Sequence, residues 1–161
     1  MIERLLSIYD TAVEQLQRWL LPIMLLGVRL IAAEAFFKAG QVKIANWDST
    51  LFLFEYEYQV PILPFEFAAW TATIVELALP PLLALGLFSR PVALVLFGFN
   101  AMAVISYPVL WEQGFLDHQL WGLMLLVTLL IGPGKVSVDH WLRHRFGMPT
   151  VNTAGMVGQH H

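Results

Sequence analysis

The sequence predicts an all-α integral membrane protein, a four-helix transmembrane bundle with an amphipathic helix at its N-terminal and C-terminal ends. Three observations carry that prediction. The 161 residues are 58% hydrophobic and only 13% charged, with a mean hydropathy of +0.65, well outside the range of ordinary soluble domains. Four stretches approach the roughly 20 apolar residues that a helix needs to cross a bilayer. Lys and Arg gather at one set of flanks of these stretches and acidic residues at the other. A formal charge of −3 with no basic stripe argues against nucleic acid as a partner. The absence of cysteine excludes disulfides, thiol relays and Cys-ligated metal clusters.

Residues 1–19 read as an amphipathic helix lying on the membrane. Ile2, Leu5, Leu6, Tyr9, Val13, Leu16 and Leu20 recur at helical spacing, and Glu3, Asp10 and Glu14 interrupt the apolar core that a signal peptide would need. The membrane domain is then residues 20–134. Its first span covers about 20–39, with Pro22 in a first-turn position. The connection 46–64, "NWDSTLFLFEYEYQVPILP", is too aromatic for a plain linker. Leu51, Phe54 and Tyr58 share a helical face, so it reads as an interfacial helix or lid, with a strand as the alternative because Phe52, Phe54, Tyr56 and Tyr58 alternate.

The second span, about 65–88, follows Pro61 and Pro64, and its Pro80-Pro81 pair predicts a bend. Ser89 reads as the N-cap of the third span, 91–107. The fourth, 117–132, ends at the Gly-Pro-Gly of residues 132–134 and is short for a span. In 135–147, Ser137 caps an interfacial helix with Trp141, Leu142 and Phe146 toward lipid and Arg143 and Arg145 toward headgroups. Residues 148–161 read as a flexible tail whose His160 and His161 are either native or tag residues. Arg4, Arg18, Arg90, Lys135, Arg143 and Arg145 on one side, against Lys38 and Lys43 on the other, place both termini in the cytoplasm of a cell-membrane protein.

Ionisable groups within spans are expensive and need a partner or a purpose. Counting about 1.5 Å per residue from the expected span ends brings Arg29, Glu76 and Asn100 to one central level. The expectation is therefore that Glu76 is the counter-ion of Arg29, with Asn100 bonding to either and Thr73 adding a hydroxyl on the Glu76 face. A register-fixing salt bridge and a ligand or proton site weigh equally for this cluster. An outer layer is expected from Glu34 and Lys38, an i,i+4 pair, together with Glu66 and His118. It reads more readily as a solvated rim than as a relay. One histidine near a span rules out bis-His haem ligation within the chain, and His140 with His144 lacks a third metal ligand, so no metal site is assigned.

The chain resembles the DoxX family of small bacterial and archaeal membrane proteins over about residues 25–142. The resemblance rests on Arg29 followed by "KAGQVK" (Lys38 to Lys43), on "VELALPPLLALGLFSRP" (Val75 to Pro91), and on "FLDHQLWGLMLLVTLLIGPGKVSVD" (Phe115 to Asp139). It implies a four-helix transmembrane bundle and, from members associated with quinone-linked sulfur oxidation or with oxidative-stress complexes, a redox setting. Three functions follow as expectations. The first is a non-catalytic accessory subunit of a quinone-linked membrane redox system, with a quinone as the implied cofactor although the residues alone make none evident. The second is a small carrier for an anionic or amphipathic metabolite, which with four helices would form a homo-oligomer. The third is a structural subunit of a larger complex. Expected partners are membrane lipid and a redox protein in or on the membrane.

Overall fold

The computed structural model describes residues 2–147 and is all-helical across them. Seven helices follow in order: α1 Ile2–Ala45, α2 Trp47–Tyr56, α3 Phe65–Leu85, α4 Ser89–Ser106, α5 Val109–Gln113, α6 Leu116–Ile131 and α7 Val138–Arg145. The expected tail, 148–161, lies outside the described residues. The long helices form a ring in which α1 packs on α3, α3 meets α4, α4 packs on α6, and α6 returns to α1. We call the end that holds the α3–α4 turn the lower end and the opposite end, with α2 and α5, the upper end.

Length and composition qualify α1, α3 and α4 to cross a bilayer; α6 is equally apolar but has only 16 residues. The protein is thus a membrane helical bundle of the expected class. Its core is built from small and branched side chains: Ala32, Ala33 and Phe36 of α1 meet Leu83, Val92, Ala93, Leu96 and Leu125. Alanines let helices approach closely where lipid offers no hydrophobic drive for association.

The first helix departs from expectation. No break separates a surface helix from the first span, and α1 runs unbroken for 44 residues with Pro22 inside it. Nothing before Pro22 caps a new helix, and the apolar pattern keeps its phase through it, so the chain loses one backbone bond at proline and continues. At the other end α1 takes in Gly40, Gln41 and Lys43, which lie beyond the expected end of the first span at about 39.

The aromatic segment forms a helix and not a strand. The Asn46 side chain accepts the Ser49 backbone N–H at 3.0 Å, and Thr50 and Phe54, four apart, are its buried positions. That helix lies on the upper end of α3, where Phe54 packs with Ala68, Ala69 and Ala72. At the lower end α3 stops earlier than expected. Gly86 takes a left-handed φ of 70°, and Leu87 N–H returns to the Leu82 carbonyl at 2.9 Å, the Schellman closure. Ser89 is the first residue of α4 and not its cap. Asp139 of α7 does the capping, with Oδ1 accepting from Phe88 N–H at 2.9 Å and Oδ2 from Ser89 N–H and Oγ at 2.8 Å each. Ser137 caps α7 as expected, accepting from His140 N–H at 3.2 Å.

Candidate functional site

Arg29, Glu76 and Asn100 do not form one cluster. Each anchors a different group of contacts, because α1 packs against α3 in a register that the expected span ends had misplaced.

Arg29 sits at the lower end, 1% exposed. Its Nη1 donates to the Leu83 and Ala84 carbonyls, at 3.3 Å each, and its Nη2 to the Val136 carbonyl. These include acceptors in the last turn of α3, the negative end of that helix dipole, so the guanidinium is held by backbone and not by Glu76. The α3–α4 turn comes so close that a side chain at Gly86 would overlap Arg29 and Ser137. Arg29 therefore ties together α1, α3 and the turn after α6.

Glu76 lies in the middle of α3, 5% exposed, and its partner is Lys43. The ammonium reaches both carboxylate oxygens, at 2.9 and 2.6 Å. Gly40, one turn before Lys43, leaves room for this approach, since a Cβ there would stand 2.9 Å from Leu77 and 3.0 Å from the Glu76 Cβ. Pro80 and Pro81 lack the N–H groups that would bond the Glu76 and Leu77 carbonyls, which adds polarity beside the pair. Thr73 is buried but turns its hydroxyl back to the Ala69 carbonyl at 2.8 Å and gives Glu76 nothing.

The expected outer layer also comes apart. Glu34 and Lys38 do pair, at 2.6 Å, but on the outward face of α1, between the levels of Arg29 and Lys43. Glu66 is exposed in the first turn of α3. His118, in contrast, finds a buried partner in Asn100. The Asn100 Nδ2 donates to the His118 carbonyl at 2.9 Å, so its Oδ1 faces His118 Nδ1, also at 2.9 Å. That arrangement requires the proton on Nδ1 and leaves Nε2 without a hydrogen-bond partner among the described residues.

This pair lies at the edge of a groove of about 530 Å³ between the upper halves of α4 and α6. Phe97, Trp111 and Phe115 supply aromatic walls, and exposed Ala101, Ile105 and Leu123 border its lateral opening. Trp111 is fixed there by donating Nε1–H to the Val104 carbonyl at 2.8 Å. Gly122 provides the floor, with Asn100 Nδ2 only 3.2 Å from where a Cβ would stand. The His118 ring stacks edge-on against Trp121, with centroids 4.9 Å apart.

Above the bundle, Tyr58 contacts Phe54 and Tyr107, each at a centroid distance of 4.8 Å. Burial, reinforced by Tyr107, Glu57 and Glu76, pushes the Tyr58 phenol above its usual value, so it stays a neutral hydroxyl through physiological pH. Among the described residues no group of three or more His, Asp or Glu side chains converges as a metal site.

Sequence reasoning missed Lys43, Asp139 and Trp111. Lys43 was recoverable from the uninterrupted helical pattern of α1. Asp139 acts on a helix start 50 residues away, and no local signal announces that contact.

No curated protein and no solved structure matches the chain. A family model does: DoxX, over residues 24–108, more than half of the chain and including Arg29, Lys43, Glu76 and Asn100. The chain is a member of the DoxX family.

Proposed function

We propose that this protein is a quinone-binding accessory subunit of a membrane redox system, and that the headgroup site is the groove at Asn100 and His118. One observation carries the reading: a histidine whose Nδ1 is held by a buried asparagine and whose Nε2 has no partner among the described residues, beside an aromatic groove that opens laterally in the bundle. Its volume lies within the range of small-molecule sites. A planar headgroup can stack on Trp111 or Phe115 while an isoprenoid tail leaves through the opening into lipid. His118 Nε2 can accept a proton from a quinol hydroxyl; the electrons then pass to a partner redox protein, which this reading requires. With the lower end cytoplasmic by the distribution of Lys and Arg, the groove faces the outer leaflet. A carrier that bound its anion at Arg29 is disfavoured, because both Nη groups already donate to carbonyls.

The test is quenching of tryptophan fluorescence by a short-chain ubiquinone in nanodiscs. Saturable quenching of the wild type, weakened about tenfold by His118→Ala and by Asn100→Leu, is the expected result; tenfold corresponds to about 1.4 kcal/mol. Quenching that rises linearly, as in free lipid, and is the same in both variants would end the proposal.

A further inference from the structure

The outward face of α1 carries a pattern that the bundle does not use. From Ile2, alternating steps of four and three residues reach Leu6, Tyr9, Val13, Leu16 and Leu20, all before Leu25, the first buried residue of α1. The count continues without a skip through Ile23, Gly27, Leu30 and Glu34 to Phe37 and Gln41. This is a heptad seam, a period of 3.5. An α-helix that merely faced lipid or lay on a membrane would keep its own period near 3.6 and drift by ~20° per heptad, about 110° over this length. A second helix seated on this face gives the chain a reason to hold 3.5.

The seam is open. Ile2, Leu6, Tyr9, Leu16 and Leu20 are each more than half exposed, and nothing lies within 4 Å of where a Cβ on Gly27 would stand. Charge strengthens the case. Glu34 falls on the seam and Lys38 beside it, their side chains 63% and 68% exposed, within the length of α1 that packs on α3 and so at bilayer depth. Charges at that depth belong against protein.

We propose that α1 forms a parallel two-stranded coiled coil with α1 of a second copy of this chain. Two copies inserted the same way are related by a two-fold axis along the membrane normal, which makes the helices parallel. The face is then self-complementary, since each copy brings one carboxylate and one ammonium to the same level, and Glu34 of each lies within reach of Lys38 from both. A polar seam position of this kind fixes register and strand number. The lower extension of α1, which has no buried residue before Leu25, gains its partner by the same contact.

The cysteine-free sequence allows a direct test. Single variants Tyr9→Cys, Leu16→Cys and Leu30→Cys on the seam, with Thr11→Cys and Arg18→Cys on the opposite face, would be oxidised in native membranes. The seam variants are expected to yield a product of twice the chain mass at least fivefold above the controls. Equal yields at seam and control positions overturn the coiled coil, and a product of any other mass overturns the second copy as its occupant. In native mass spectrometry of the full chain, Glu34→Lys is expected to weaken the dimer about tenfold, and adding Lys38→Glu to restore it. A wild type that is monomeric in native mass spectrometry at every concentration overturns the proposal.

Discussion

Glu76 shows what a buried charge demands of its neighbours. The carboxylate is desolvated, and Lys43 meets both oxygens from the last turn of α1. Removing one partner of such a pair leaves the other buried alone, which costs about 3–5 kcal/mol, whereas removing both can be nearly neutral. Lys43→Met should therefore lower stability by about 3 kcal/mol, and Lys43→Met with Glu76→Leu should recover most of it, as read from reversible unfolding in mixed micelles. A single variant as stable as the wild type would mean that water reaches the pair. The glycines differ among themselves by the same logic of what stands nearby. Gly86→Ala forces a side chain into a left-handed backbone and against Arg29, so a loss of about 2 kcal/mol or more is expected. Gly98→Ala meets nothing within 4 Å and gains helix propensity, so it should be neutral or stabilising by up to about 1 kcal/mol. Thermal unfolding of the two variants side by side checks both.

At the scale of elements, helices were legible and only some of their ends were. Apolar runs announced α3, α4 and α6, because a membrane helix must satisfy its backbone internally and its composition says so. Ends depend on contacts made across the chain. Ser89 has the chemistry of a cap, but the capping acceptor is Asp139, and no local pattern encodes that. The same limit explains the misplaced charges. Arg29 and Glu76 seemed level only because depth was counted from a span start near Leu20, where α1 has no start at all. Asn100 and His118 were both recognised as polar groups in spans, yet their pairing needed the α4–α6 register. Asp139→Ala removes three hydrogen bonds from the α4 start and should cost about 1–2 kcal/mol. Asp139→Asn keeps an acceptor and should lose less. Hydrogen exchange at residues 88–92 would detect the fraying, and unchanged protection in Asp139→Ala would assign the capping to water.

Apart from the Lys43–Glu76 and Glu34–Lys38 pairs, the bundle places polar contacts of different work at its two ends. The lower end is a latch: Arg29 holds the α3 terminus and the 132–137 turn, while Asp139, whose own N–H donates to the Gly86 carbonyl at 2.9 Å, holds the start of α4. The upper end carries the aromatic lid and the Asn100–His118 groove, built on α4 and α6 with Trp111 of α5 and Phe115 closing one side. If the latch is scaffold and the groove is the site, injury to one should not abolish the other. Arg29→Lys retains the charge but not the planar fork that reaches three carbonyls, so it should release the latch. Amide exchange across 132–140 should then rise by an order of magnitude or more, with the midsections of α3 and α4 staying protected, while quinone quenching at the groove keeps the wild-type affinity within about twofold. Loss of quenching in an Arg29→Lys protein whose 132–140 amides remain protected would reverse the assignment, making Arg29 part of the site and the latch incidental.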